Sequence, residues 1–397
     1  MSPRLFLVLM TLLAVASDSL LHPFYPQYFL TVFGVTDERE VGIYIALCSL
    51  TVLLCLPAWA LLARRVHVLR LLVASQALSA ALSLGCYAAT SLTEFWIVSL
   101  AMMAFKASYL LIYPYLMSID DEQRHISTIS LLAFVVHFGG IASALLSGAV
   151  LQWLEARVLF VAMALGDVLQ MLLCWYWLAR RTGAEASPAP CARSLPWSSL
   201  YRLGLVMLVV YFSAYLTEPF LSPYWEAISE LDNKLLSGAV FAIPGAAALL
   251  GLLVNARAEQ TGTPYGGIVP AIALGVCGLC LQMSGVLAAI LLGRFLYGWA
   301  LFQATVRLDL LLFRLSTPGA YALDFGKINL FQGLGVLLAA SAAGSVVSWL
   351  GMRATFVIAG FGFALAAVLY WALFREQLRA AGSEAFPPAT VGNGRAA

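Results

Sequence analysis

Long apolar runs separated by short polar breaks repeat along the whole chain. A helix needs about 20 apolar residues to cross the hydrocarbon core of a bilayer. The pattern therefore predicts an all-α integral membrane protein. The runs give twelve transmembrane spans, numbered in order, at residues 5–33, 41–63, 67–90, 94–118, 126–154, 157–179, 200–226, 236–256, 266–284, 286–313, 325–350 and 354–374.

Two of these runs are interrupted by the same kind of polar, proline-containing segment. Span 1 contains HPFYPQYF at 22–29, and span 7 contains EPFLSPYW at 218–225. Proline removes a backbone hydrogen-bond donor from a helix. The carbonyls freed inside a bilayer must then be covered by protein or by a wet cavity. We therefore expect both spans to bend beside a cavity.

The two interrupted spans belong to a longer internal repeat. The offset that pairs Pro23 with Pro219 also pairs other glycine, tryptophan and arginine positions without gaps. They are Gly42 with Gly238, Gly139 with Gly335, Gly148 with Gly344, Trp153 with Trp349 and Arg157 with Arg353. Duplicated six-span halves are typical of secondary transporters.

The longest polar break, at 180–199, is rich in Pro, Ser and Ala and favours a linker between the halves. The predicted domains are an N-terminal bundle at 1–179, the linker, a C-terminal bundle at 200–379 and a disordered tail at 380–397. Most of the 22 Lys and Arg residues fall on the side of the termini. The positive-inside rule therefore places both termini and the linker in the cytoplasm.

Composition excludes several classes of protein. The chain is 62% hydrophobic and 11% charged, whereas a soluble domain has about 25% charged residues. Its net charge is +2 and its basic residues are scattered, which argues against nucleic acid as a partner. It contains no HExxH, GxSxG or Walker-type motif. We therefore expect no enzyme activity, no metal and no cofactor, with a proton gradient as the energy source.

The 6+6 spans, central linker and repeated halves resemble the major facilitator superfamily over the whole chain. The loop PAWALLARRVHVLR at 57–70 keeps the basic residues of the superfamily's loop between spans 2 and 3 but lacks its Asp and Gly. Span 5, HFGGIASALLSGAV at 137–150, lacks the Gly-Pro signature of drug antiporters. The resemblance implies two pseudo-symmetric bundles, a cavity lined by spans 1, 4, 7 and 10, and alternating access by rocking.

Ionisable residues inside the spans are the candidate functional groups, because each costs about 2.5–3.5 kcal/mol at mid-span. Asp18, His22 and Tyr25 share one face of span 1, and Glu218 follows Tyr215 on span 7. Asp18, Glu218 and His22 are candidates for proton coupling, and the two tyrosines for substrate binding. The alternative is that these groups only form hydrogen bonds between helices.

Lys106 on span 4 and Arg294 on span 10 are the two cations inside the spans. Lys106 pairs with Arg294 only at a shorter sequence offset than the one that pairs Pro23 with Pro219. Two cations facing one cavity favour an anionic or zwitterionic substrate. The alternative, compatible with the first, is that they neutralise Asp18 and Glu218. The tyrosines that accompany these cations are further substrate-binding candidates: Tyr109, Tyr113 and Tyr297.

Three other groups complete the set. His137 on span 5 is a substrate-binding candidate, although a lone histidine on a glycine-rich face more often packs. Asp167 on span 6 is expected to bond a neighbouring helix. Two acid–base pairs in cytoplasmic loops are gating candidates, with a solvated charge run as the alternative. They are Asp120 with Arg124 and Asp324 with Lys327.

The resulting hypothesis is a monomeric, proton-coupled transporter in the bacterial cytoplasmic (inner) membrane. It would export a small polar anionic or zwitterionic metabolite, and its resemblance to compact bacterial efflux members includes exporters of small siderophores. The first alternative is a proton symporter that takes up a small carboxylate or sugar-like solute. A non-transporting scaffold or membrane enzyme is the alternative of a different class.

Overall fold

The computed structural model describes residues 3–63, 65–112, 125–180, 196–261, 267–316 and 321–383. The described part is helical and contains no strand. In span order, the helices are Pro3–Asp18 with Tyr25–Phe33, Glu38–Leu62, Val68–Ala88, Leu92–Lys106, His125–Trp153, Val158–Arg180, Trp197–Tyr215 with Leu221–Ser229, Lys234–Thr261, Ile268–Gln282, Leu287–Leu315, Tyr321–Leu350 and Met352–Ser383.

Eleven of these segments are long and apolar enough to cross a membrane. Span 9 is shorter at Ile268–Gln282, and residues 262–266 before it lie outside the described residues. The helix of span 7 begins at Trp197, inside the predicted linker. The last helix continues to Ser383, past the predicted start of the tail at residue 380.

The breaks predicted for spans 1 and 7 are both present. In span 1 a 3-10 turn at His22–Phe24 separates the two helices. In span 7 the first helix ends at Tyr215 and the second begins at Leu221, so Glu218 lies in the break. Proline at the start of each second segment removes donors that a continuous helix would need.

Span 4 also changes geometry, which the apolar pattern does not predict. Its α-helix ends at Lys106 and continues as a 3-10 helix at Ala107–Leu111. The repeat-related span 10 is one uninterrupted helix, Leu287–Leu315. The two cation-bearing spans therefore differ in backbone as well as in offset.

The internal repeat appears as matching contacts in the two halves. Span 3 packs on span 6 as span 9 packs on span 12. The Tyr28 ring lies 5.5 Å from the Phe160 ring, and Tyr224 and Phe356, at the repeat offset, lie 4.8 Å apart. Each half therefore builds the same packing from equivalent residues.

Glycines at the repeat offset make the contact between the bundles. Span 2 crosses span 11 where Gly42 meets Gly344, and span 8 crosses span 5 where Gly238 meets Gly148. A Cβ on Gly42 would lie 2.9 Å from the Ala340 carbonyl oxygen. Small residues let helix backbones approach this closely.

Polar contacts reinforce this junction at the predicted outer end. The Arg39 guanidinium lies 5.0 Å from the Trp349 ring, and its Nε donates to Ser348 Oγ at 3.1 Å. Across the other pair of helices, the Lys234 backbone N–H donates to Gln152 Oε1 at 2.7 Å. Gln152 and Ser348 are related by the repeat. The two halves thus meet at this end through equivalent contacts.

Replacing Gly148 by alanine should loosen this junction. The new Cβ would lie 2.6 Å from the Lys234 carbonyl oxygen and 3.0 Å from Leu235 Cα, so backbone must move. Overpacking costs about 1–3 kcal/mol. We expect a lower thermal unfolding temperature for Gly148→Ala in detergent. Gly140→Ala, on the same helix with nothing within 4 Å of its added Cβ, is the control. Equal unfolding temperatures for the two variants would contradict this packing.

Candidate functional site

Lys106 is the centre of a buried charge cluster in the N-terminal bundle. Its Nζ lies 2.6 Å from Asp18 Oδ1 and 2.7 Å from Asp167 Oδ1, and it donates to Ser17 Oγ at 3.3 Å. These contacts link spans 1, 4 and 6. An ammonium has three donors, so the three partners use all of them.

Asp167 is the more enclosed of the two carboxylates. Its side chain is fully buried. Besides Lys106, it accepts from Ser79 at 2.8 Å and from Ser83 at 3.3 Å, both on span 3. The expectation that Asp167 bonds neighbouring helices is confirmed. It also lies at the Lys106 site, a role its peripheral span did not suggest.

Asp18 is the more accessible carboxylate. Its side chain keeps 19% of its exposure, and Lys106 is its one hydrogen-bond donor among the described residues. It lies at the end of the first helix of span 1, directly before the break. The predicted pairing of Lys106 with Asp18 is therefore present, but Lys106 is shared with a second acid.

Arg294, the counterpart in the C-terminal bundle, has a different environment. It is 2% exposed, and its Nη2 donates to the Phe241 carbonyl at 3.2 Å. The rings of Phe241 and Tyr297 lie 6.0 and 5.8 Å from its guanidinium carbon. Its Nε has no hydrogen-bond partner among the described residues.

The repeat explains why Arg294 lacks the acids that hold Lys106. At the repeat offset, Asp18 corresponds to Ala214 and Asp167 to Phe363. Tyr297 occupies this region instead, since its hydroxyl donates to the Ala214 carbonyl at 3.1 Å and its ring lies 6.0 Å from Phe363. The two halves share a scaffold but not the charges placed on it.

Glu218 is within electrostatic range of Arg294, but the described residues form no ion pair between them. Glu218 is partly buried in the break of span 7, next to Tyr215. Tyr109 on span 4 is within electrostatic range of both Asp18 and Tyr215. The structure thus brings the candidates of spans 1, 4, 7 and 10 around one central region.

The remaining candidates have separate surroundings. His22 is exposed in the turn of span 1, and Tyr25 is buried with its ring 5.9 Å from His22 and 5.7 Å from Tyr44. His137 lies at the junction between the bundles, where its ring is 5.8 Å from Phe302 of span 10. Tyr113, Asp120 and Arg124 lie outside the described residues.

The second predicted gate pair lies within one bundle. Lys327 Nζ is 3.8 Å from Asp324 Oδ1, one turn away on span 11, and 5.0 Å from the Trp197 ring of span 7. Ser316 donates to Asp324 Oδ2 at 2.6 Å. In this structure these contacts brace the C-terminal bundle.

Asp309 on span 10 is a further acid, partly buried, that is not among the candidates predicted from the sequence. Its Oδ1 is buried and has no hydrogen-bond partner among the described residues. It lies within electrostatic range of Tyr211. The sequence signal was available, because Asp309 falls inside the predicted span 286–313, where an ionisable group is costly.

The comparison with family models gives a match to the Major Facilitator Superfamily over residues 7–263. The chain belongs to the Major Facilitator Superfamily. As a member, it is a multi-pass secondary transporter that works by alternating access. No curated protein matches the chain significantly.

Solved structures of other superfamily members share the fold. A bacterial homologue of the human lysosomal transporter Spinster, in an inward-facing and occupied conformation, has a TM-score of 0.76 at 14% identity, with 95% of this chain and 97% of that chain covered. The human organic anion transporter MFSD10 (TETRAN) has a TM-score of 0.69 at 17% identity, with 93% of this chain and 100% of that chain covered. The nucleoside transporter NupG has a TM-score of 0.70 at 12% identity, with 94% of this chain and 100% of that chain covered.

Removing Lys106 should strongly destabilise the protein, because Lys106→Met leaves the buried Asp167 and the partly buried Asp18 without their cation. Breaking a buried pair in this way costs about 3–5 kcal/mol. We expect a large fall in thermal unfolding temperature, partly restored by adding Asp167→Asn. Lys234→Met is a matched control, since Lys234 also holds two acids, at 2.7 and 2.9 Å, but nearer to solvent. Comparable losses for Lys106→Met and Lys234→Met would refute this assignment.

Proposed function

We propose that this superfamily member is a proton-coupled transporter that exports a small polar anionic or zwitterionic metabolite, with a siderophore-like compound as the candidate cargo. We place it as a monomer in the bacterial inner membrane with cytoplasmic termini. The observation that supports the proposal is the difference between the surroundings of the two buried cations. Lys106 is saturated by protein acids, whereas Arg294 has no paired acid among the described residues.

Asp18 is the proton-exchanging member of the Lys106 cluster. Hydrogen bonds to a carboxylate favour its charged form, and Asp167 accepts them from Lys106, Ser79 and Ser83. Asp18 has Lys106 alone among the described donors and keeps partial exposure. Protonation of Asp18 therefore leaves Lys106 neutralised by Asp167. The cluster can therefore take up a proton while its buried cation remains neutralised.

Glu218 is the corresponding group in the C-terminal bundle. It lies in the break of span 7 within electrostatic range of Arg294. The charge on Glu218 and an anionic group bound to Arg294 therefore affect each other through the field of that arginine. This arrangement gives cargo and proton a direct energetic link through one cation.

Arg294 is the anchor for the anionic group of the cargo. A buried guanidinium with an unpartnered Nε is costly until an anion binds it. The rings of Tyr297 and Phe241 beside it supply aromatic surface. Tyr109, Tyr215 and Tyr25 are additional contacts around the central region. The direction of transport rests on the likeness to compact bacterial efflux members.

Neutralising Asp18 should uncouple transport from protons. The cargo is first identified by comparing culture fluids of deletion and parent strains. In proteoliposomes loaded with that metabolite, we expect Asp18→Asn to reduce cargo-driven proton movement at least tenfold and Glu218→Gln to reduce it similarly. Asp232→Asn, an exposed loop substitution, is the control. Normal proton movement in both Asp18→Asn and Glu218→Gln would refute the coupling assignment.

Removing the charge of Arg294 should abolish cargo binding. We expect Arg294→Ala to lower export at least tenfold at equal protein level, and Arg294→Lys to retain part of it because the charge remains. Arg202→Ala, at an exposed position near the start of span 7, should export normally. Export by Arg294→Ala at the wild-type rate would exclude a role for Arg294 in anion binding.

A further inference from the structure

The buried charges of the two bundles do not balance. The spans carry the acids Asp18, Asp167, Glu218 and Asp309 and the cations Lys106, Arg294 and Arg307. Lys106 is fully occupied by Asp18 and Asp167. These four acids therefore exceed the three cations by one. A purely anionic cargo would enter a region that already carries excess negative charge.

Asp309 is the acid most clearly without a protein partner. Its Oδ1 is buried, with no hydrogen-bond donor among the described residues. Arg307, two positions away, turns to its own helix and donates to the Gln303 carbonyl at 2.9 Å and to Gln303 Oε1 at 2.8 Å. A carboxyl in this state is completed either by a proton or by a cation from outside the protein.

The position of Asp309 directs it toward the space between the bundles. It lies two helical turns from Phe302 on the same face of span 10. Phe302 contacts His137 of the N-terminal bundle, with ring centroids 5.8 Å apart. Asp309 is therefore on the inter-bundle face, nearer to the predicted cytoplasmic end than Arg294.

An aromatic surface lies within electrostatic range of this acid. Tyr211, which is within electrostatic range of Asp309, stacks on Tyr215 with centroids 6.1 Å apart and an interplanar angle of 12°. Both tyrosines are partly exposed. Aromatic faces attract ammonium groups, and a carboxylate supplies the counter-charge.

We propose that Asp309, together with Tyr211 and Tyr215, binds an ammonium-type group of the transported molecule, so that the cargo is zwitterionic rather than purely anionic. This inference rests on the proposed transport function and names its substrate class. Asp309 is about 22 Å from Arg294 along the helix axis, at 1.5 Å per residue. A small cargo therefore occupies the two sites in succession.

A pair of probes of similar size and opposite charge tests the inference without transport. Binding of phenethylammonium and of phenylacetate to purified protein is measured by titration calorimetry. We expect Asp309→Asn to weaken phenethylammonium binding at least tenfold and to leave phenylacetate binding unchanged. Tyr211→Leu should also weaken cation binding, whereas Tyr211→Phe, which keeps the ring, should not. Asp232→Asn is the matched control.

Three results would overturn the inference: no phenethylammonium binding by wild type, equal binding by wild type and Asp309→Asn, or unchanged binding by Tyr211→Leu. Loss of proton movement in Asp309→Asn with cation binding retained would identify Asp309 as a proton site instead. The calorimetric test measures binding and not proton movement, so its outcome is independent of the Asp18 coupling test. Cation binding at Asp309 can therefore be refuted while proton coupling through Asp18 is supported, and the reverse.

Discussion

The need to neutralise a lysine buried inside a membrane protein constrains much of this structure. Lys106 is almost fully buried, and its ammonium is held by acids from spans 1 and 6. Asp167 is in turn held by serines of span 3. The cluster therefore ties four spans of the N-terminal bundle together. It also lies where the span 4 helix changes from α to 3-10 geometry and directly beside the break in span 1.

The C-terminal bundle repeats the scaffold and changes the chemistry. Equivalent glycines cross at the bundle junction, and equivalent aromatic pairs pack inside each half. Where the first half has Asp18 and Asp167, the second has Ala214 and Phe363. Loss of these acids leaves Arg294 with a backbone carbonyl and two rings. One half thus has a self-contained charge cluster, and the other has a buried cation with no paired acid among the described residues.

Much of the fold could be predicted from the sequence because the bilayer restricts the choice to apolar helices. The breaks in spans 1 and 7 follow from proline chemistry and are present at the predicted places. The 3-10 segment after Lys106 could not be predicted, since Ala107–Leu111 contains no proline or glycine. This segment begins directly after Lys106, and the position of Lys106 depends on its contacts with residues distant in sequence.

The residues of the site could be predicted from the sequence, but the ion pairs that they form could not. Mid-span charge identified Lys106, Arg294, Asp18 and Glu218. It did not indicate that Asp167, on a peripheral span, shares Lys106, because that contact depends on how span 6 rotates against spans 3 and 4. Asp309 also falls inside a predicted span, but the sequence does not show that its Oδ1 is buried without a hydrogen-bond donor among the described residues.

The proposed coupling depends most directly on which carboxyl of the Lys106 cluster exchanges a proton. Infrared difference spectroscopy on purified protein, recorded while the pH is changed, detects the carbonyl band of a protonated carboxyl. We expect this band to include a component that is lost in Asp18→Asn and retained in Asp167→Asn. Loss of that component in Asp167→Asn with retention in Asp18→Asn would contradict it.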